Sequence, residues 1–182
     1  FPNRTEEVVI LSSAIKALSK APRAHYYLGC LFYDKKQYET AKDHWLTSVS
    51  EDPEFAMAHR NLAIAYYNKE KDMEKALVSM KRALDLDPGY SRFLLEYDQL
   101  CSKAGVSNED RLDLLEERVE LAEDRDALYV EYITLLNNTC QYDKALSCLG
   151  SHRFHPWEGG EGKVPGQYQF ARVELAKKAL EA

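Results

Sequence analysis

The chain has 182 residues, a net charge of -6 at pH 7, and only eight glycines and six prolines. That length is enough to bury a real core in one domain, and scarce glycine and proline favour helices over sheets. The acidic balance excludes a nucleic-acid backbone as the main partner, because phosphate binding needs a basic footprint. No run approaches the ~18 to 20 apolar residues that span a bilayer. The four cysteines, Cys30, Cys101, Cys140 and Cys148, are widely spaced and read as reduced thiols. With no visible signal peptide, that points to the cytoplasm. The opening residues Phe1, Pro2 and Asn3 carry no initiator methionine, so the chain reads as an excised fragment.

In chain order, "TEEVVILSSAIKALSK" from Thr5 is a single amphipathic stretch. Two longer segments follow, "AHYYLGCLFYDKKQYETAKDHWLTSVSEDPE" from Ala24 and "AHRNLAIAYYNKEKDMEKALVSMKRALDLDPG" from Ala58. They align with one extra residue in the second, near Lys71. Leu28 matches Leu62, Ala41 matches Ala76, and Asp52-Pro53 matches Asp87-Pro88. Each segment holds two patterns of apolar residues three and four apart, the mark of a helix with one buried stripe. A short polar turn separates the two patterns, and proline closes each unit because it cannot continue a helix. Ala41 and Ala76 fall where two helices must approach closely, so a bulkier side chain there would cost ~1 to 3 kcal/mol.

These residues resemble the tetratricopeptide repeat (TPR), a helix-turn-helix unit of ~34 residues. Pro22 to Phe55 carries Leu28-Gly29, Phe32, Tyr38, Ala41, Trp45, Ser48 and Pro53 at the motif positions. Residues 56–90 match through Leu62-Ala63, Tyr66, Ala76, Met80, Ala83 and Pro88. Residues 91–125 have the right length but lack the small residues and the proline, and read as a degenerate repeat. Its second helix starts at Ser107, with Asp110 three residues on as in a capping box. Residues 126–149 form a further unit with Tyr142 and Ala145 in register. Residues 1–21 read as the second helix of a partial repeat.

The resemblance implies an all-α fold, a right-handed superhelix of antiparallel hairpins forming a single domain over 1–182. Residues 150–166 would be a glycine-rich loop, and 167–182 a closing helix with Tyr168, Ala171, Leu175 and Ala179 on one side. Carried over residue by residue, the family's concave groove includes Arg23, Tyr26, Tyr33, Arg60, Tyr67 and Arg92, with Cys30, Met57, Ile64, Leu95 and Gln99 between them. Aromatic and arginine side chains dominate interface hot spots, so a peptide is the expected ligand. One TPR subtype clamps a C-terminal carboxylate with Lys and Asn. Here those positions carry Tyr26, Cys30, Asn61, Arg92 and Glu96, and Glu96 would repel that ligand.

Five of the eight glycines lie between Gly150 and Gly166, around "HPWEGGEGKVPGQ". A phosphate loop needs glycine where Trp157 stands and Ser or Thr where Val164 stands, so that reading fails. Cys140, Cys148, His152 and His155 lack the paired spacing of a zinc site, so no metal is expected. Glu158 and Glu161 sit in a flexible stretch with no nucleophile motif nearby, so neither catalysis nor a cofactor is expected. The loop instead offers His155, Trp157 and Glu158 as binding residues.

The stretch "LGSHRFHPWEGGEGKVPGQ" and the repeats also resemble the C-terminal TPR region of large bacterial proteins with an N-terminal β-rich domain. That resemblance implies a non-catalytic interaction or scaffolding module, whose partner is a protein, a peptide or an upstream domain of the same chain. The alternative it leaves open is an accessory region of a carbohydrate-active enzyme.

Overall fold

The computed structural model describes Arg4 and residues 6–181, and every regular element among them is helical. Residues 1–3, Thr5 and Ala182, which the sequence reading placed in the partial repeat and the closing helix, lie outside the described residues. The chain forms two compact units, residues 1–88 and 89–182.

The first unit contains α1 (Glu6–Ala17), α2 (Pro22–Asp34), α3 (Tyr38–Glu51), α4 (Ala56–Ala65), a π-helical turn (Tyr66–Glu70) and α5 (Met73–Leu86). Proline opens α2, where its missing N–H is one the helix could not use. Helices α2 and α3 pair closely, as do α4 and α5, with α1 against α2 and α3 against α4. Tyr26, Ala41, Trp45, Ala58, Leu62 and Ala65 form the core between the hairpins. The end of α3 also satisfies the start of α2. Glu51 Oε2 accepts from the Ala21 N–H at 2.7 Å, and the buried Ser48 hydroxyl donates to the Pro22 carbonyl at 2.8 Å.

The second unit contains α6 (Ser91–Lys103), α7 (Asn108–Glu116), α8 (Val119–Glu123), α9 (Asp126–Asn138), α10 (Tyr142–Ser151) and α11 (Lys163–Glu181). Helix α9 is its centre, touching α6, α7, α8, α10 and α11. Accordingly Leu128, Val130, Ile133, Leu135 and Leu136 are all buried along it, with little regard for a single stripe.

The hairpins share a positional rule. Ala41, Ala76 and Ala145 are each the fourth residue of their helix, and each is fully buried. Gly29 and Ala63 are each the eighth residue of the preceding helix and face that close approach. In the α6–α7 hairpin these positions hold Asp98 and Arg111. Both are buried and joined by a two-pronged ion pair, Nε to Oδ1 at 2.9 Å and Nη2 to Oδ2 at 2.8 Å. A charged pair thus occupies the place where the two hairpins of the first unit use small side chains, while the α9–α10 hairpin pairs Ile133 with Ala145 at the same positions.

The turns share a rule too. Lys36, Lys71 and Cys140 adopt left-handed backbone two residues before the next helix, and Gly105 does so before α7. The closing bonds are alike, Gln37 N–H to Phe32 O at 2.9 Å, Val106 to Cys101 at 3.0 Å and Gln141 to Leu136 at 2.8 Å. These are helix C-terminal closures of the Schellman type. The extra residue noted near Lys71 is taken up earlier, in the π-helical turn, and Asp72 N–H therefore reaches back to Tyr66 O at 3.1 Å. At Ser107 the hydroxyl accepts from Asp110 N–H at 3.0 Å and itself donates to Asp110 Oδ2 at 2.6 Å, so the Asp110 carboxylate does not reach the backbone. Aspartate is one carbon shorter than the glutamate usual there.

Candidate functional site

In the first unit, the residues assigned to a groove occupy different environments. Arg23 is exposed on the first turn of α2, and Tyr33, Arg60 and Tyr67 are half-buried. Tyr26 is only 4% exposed, its ring against Phe55 at 4.9 Å, so it packs the core and has little surface to offer a ligand. Its carbonyl accepts from Trp45 Nε1 at 3.1 Å. Tyr33 lies edge-on to Tyr38 at 5.0 Å and tilted to Trp45 at 5.4 Å. The Lys69 ammonium from the π-helical turn sits 3.7 Å from the Tyr38 ring centre, a cation–π seat.

Between these, Arg60 Nη1 donates to Asn61 Oδ1 at 3.2 Å, and Asn61 Nδ2 donates to Cys30 Sγ at 3.3 Å. This polar line joins α4 to α2. Burial pushes the Cys30 thiol above its usual range despite hydrogen bonds from Tyr26, Trp45 and Asn61, so it is a structural thiol and a poor nucleophile.

Arg92 lies in the second unit, exposed on α6, with Nε 2.9 Å from Glu96 Oε1 one turn on. The glutamate that would repel a carboxylate therefore holds the arginine that would attract it.

The loop between α10 and α11 spans 152–162, narrower at both ends than the expected 150–166. Helix α10 keeps Gly150 and Ser151, and α11 starts at Lys163 rather than at residue 167. Pro165 fits the first turn of α11 because an N–H there would have no intrahelical partner, and Gly166 N–H makes the first closing bond, to Gly162 O at 2.9 Å. The anchor of the loop is Asp126, at the start of α9, where an acidic residue also suits the helix dipole. Its carboxylate accepts from the His152 ring at 2.7 Å and from the His155 backbone N–H at 2.7 Å. Burial alone would raise the Asp126 carboxyl, but those two bonds hold it below the usual carboxylate range. The His152 ring packs beside it, tilted against Tyr129 at 4.5 Å and edge-on to Phe154 at 4.6 Å.

Replacing Asp126 with alanine is expected to free this segment. Loss of two charge-assisted bonds amounts to about 1.5 to 3 kcal/mol each at most, and trypsin should then cut after the exposed Arg153 markedly faster. The pH dependence follows from the lowered carboxyl. The anchor's contribution is complete above the unfolded carboxyl's range, about pH 4, and is lost as pH falls through the lower folded value. Hydrogen exchange of the His155 amide should therefore show full protection at pH 5 and a progressive loss only below about pH 4, toward the lower folded value.

Beyond the anchor, Gly159 and Gly162 have φ of 78° and 76°, which favours glycine. Gly160 closes a tight turn, its N–H donating to Trp157 O at 3.1 Å. The Trp157 ring lies directly on Gly160, where an added Cβ would sit 2.2 Å from the indole. Phe154, His155, Pro156, Trp157, Gly160, Glu161 and Val164 surround a cup of about 220 Å³. The His155 ring is 75% exposed, 3.5 Å from Asp126 Oδ2, and Glu158 is exposed beside the cup. Of the three loop residues singled out in the sequence, His155 and Trp157 line the cup, and the exposed Glu158 does not. Asp126 and Gly160 were missed. Asp126 reads locally as a helix-start acid, and nothing in its spacing announces a partner near His155.

Helix α11 returns to α9 through Asn137, whose Nδ2 donates to the Gln167 carbonyl at 3.1 Å and to Gln167 Oε1 at 2.8 Å. Lys163 Nζ stands 3.8 Å from Glu131, whose carboxyl burial pushes up despite that neighbour. On α11, Ala171 is buried and Leu175 half-buried, while Tyr168 and Ala179 are exposed. Among the described residues, no group of three or more His, Cys, Asp or Glu side chains is placed to share a metal ion. Nor is any described helix long and apolar enough to cross a membrane.

No family model matches the chain. Among curated proteins, human RANBP2-like and GRIP domain-containing protein 1 is 31% identical over 83 residues, 46% of this chain and 5% of that protein. Human E3 SUMO-protein ligase RanBP2 is 27% identical over 104 residues, 57% of this chain and 3% of that protein. The chain thus spans only a small part of the relatives it matches. Among solved structures, YrrB, a TPR protein with an unusual peptide-binding site, superposes with a TM-score of 0.69 at 19% identity, covering 93% of this chain and 84% of YrrB. PilF of Pseudomonas aeruginosa gives 0.66 at 15% identity over 96% and 83% of the two chains. MamA gives 0.63 at 15% identity over 94% and 88%. With its buried fourth-position alanines and paired antiparallel helices, this chain has the tetratricopeptide-repeat fold.

Proposed function

We propose that the chain is a non-catalytic protein-interaction module built from hairpins at 22–55, 56–90, 91–125 and 126–149. The observation that carries the reading is the Arg60–Asn61–Cys30 line joining α4 to α2. It belongs to the helices that also carry Arg23 and Tyr33, and it lies next to the π-helical turn carrying Tyr67. Amide and guanidinium donors beside half-buried rings suit an extended peptide, which offers carbonyl acceptors and apolar side chains in alternation. The likeness to a TPR protein with a peptide-binding site agrees with this. Arg92 and the loop residues His155, Trp157 and Glu158 form further contacts on the second unit, the loop facing an upstream β-rich domain of the parent protein.

Peptides selected from a display library against the purified chain supply the test. Arg23→Glu and Arg60→Glu should each weaken a selected peptide about tenfold, the scale of a hot-spot residue, with unchanged thermal melting. Full affinity in both variants would sink the groove reading. A second reading, an accessory region of a carbohydrate-active enzyme, draws on the Trp157 cup beside Glu158 and Glu161. A sugar screen with the full parent protein and with this chain separates the two.

A further inference from the structure

The loop cup has a chemistry that the interaction-module reading leaves unspecified. At about 220 Å³ it is smaller than the ~300 to 1,000 Å³ typical of small-molecule sites, so it suits one side chain. Its wall is Phe154, Pro156, Trp157 and Val164, with the His155 ring and Glu161 completing it. No lysine or arginine lines it, and the nearest lysine along the chain, Lys163, stands 3.8 Å from Glu131 on α9. Glu158 is exposed next to it, and the whole chain carries a charge of -6. Glu161 would repel a phosphate or carboxylate, and Arg153 and Lys163, which flank the lining in sequence, are not among the residues that line the cup.

We propose that the cup receives a single arginine side chain from a protein partner. A guanidinium stacks flat on an indole face and is drawn to the ring quadrupole, which is strongest for tryptophan. Glu161 supplies the opposite charge. The ring does not have to be ordered on binding, because Gly160 beneath it and the turn closed from Gly160 N–H to Trp157 O hold it in place. An uncharged sugar would use the same wall without the electrostatic attraction, so charge and salt distinguish the two occupants.

The inference rests on the interaction-module reading and is tested apart from it. The chain has two tryptophans, Trp45 buried in the first unit and Trp157 in the second. Their indole N–H signals in a nitrogen-15-labelled sample therefore report the cup and an internal reference. The probes are acetyl-Gly-Arg-Gly-amide, its citrulline counterpart and methyl glucoside, each raised to the order of 10 mM, where a millimolar contact registers. The arginine peptide should move the Trp157 signal and leave Trp45 still. Citrulline should bind about fivefold more weakly, the worth of an exposed cation–π contact. Glu161→Gln should weaken the arginine peptide about two- to fivefold, and added salt should do the same. Gly160→Ala, which displaces the indole, should abolish the shift while the helical signal survives. Equal response to citrulline, a response to glucoside alone, or no response to any probe overturns the proposal. Because Trp157 does not report the Arg60 line, any of those results leaves the peptide-groove test standing.

Discussion

Arg111→Ala is expected to destabilise the second unit by about 3 to 5 kcal/mol, because it strands the Asp98 carboxylate in the interior without a partner. Asp98 is fully enclosed and has both oxygens on the arginine, so no solvent stands ready to replace it. The paired replacement Asp98→Leu with Arg111→Met should instead lie within about 1 kcal/mol of the parent or above it, since neither charge then needs desolvating. Urea denaturation followed by circular dichroism measures both, and hydrogen exchange locates the loss on α6 and α7. If the single and double variants lose the same amount, the pair is not what holds this hairpin. Burial tends to lower the arginine's proton affinity, but its bonds to Asp98 outweigh that and leave it raised. Arg111 is therefore held in its charged form.

In the first unit the largest effect is expected from the smallest change. Gly29→Ala places a methyl group 2.3 Å from Trp45 Nε1, a distance that real side chains do not tolerate. Trp45 is 2% exposed and bonded to the Tyr26 carbonyl, so the ring has nowhere to retreat. Either the indole leaves that bond or α2 and α3 separate, at a cost of about 1 to 3 kcal/mol or somewhat more. Gly150→Ala is the matching control. Its added Cβ meets nothing within 4 Å and lies in α10, so it should stabilise by about 0.5 to 1 kcal/mol. A drop in melting temperature for Gly29→Ala no greater than the change at Gly150 would refute the close packing of α2 on α3.

Much of this architecture was legible in the residues, and the exceptions have physical causes. The apolar spacing in residues 22–88 and 126–149 announced paired helices, and Ala41 and Ala76 announced where they touch. Asp98 and Arg111 were invisible because a charge in a helical pattern reads as a solvated face. Only their shared positions, the eighth and fourth residues of their helices, mark them as replacements for Gly29 and Ala41. The start of α11 was read late because Pro165 and Gly166 look like breakers, whereas the third residue of a helix needs no N–H and Gly166 makes the first turn's bond back to Gly162 O. Trp157 was read as a binding residue, but its seat on Gly160 was not foreseen, and the Asp126 anchor depends on a distant partner that local patterns do not encode. Tyr26 matched a groove position while its ring was needed inside.

The π-helical turn has a consequence for how these hairpins tolerate change. From Ala56 to Met73, and from Ser91 to Asn108, the chain takes one residue more than from Pro22 to Tyr38 or Asp126 to Tyr142. One surplus residue is absorbed by widening the end of a helix, the other by a longer glycine turn at Gly105. In both cases the fourth residue of the next helix still meets its neighbour, Ala76 fully buried and Arg111 bonded to Asp98. What is preserved from hairpin to hairpin is rotational phase, and the residue count can drift by one without disturbing the helix pair.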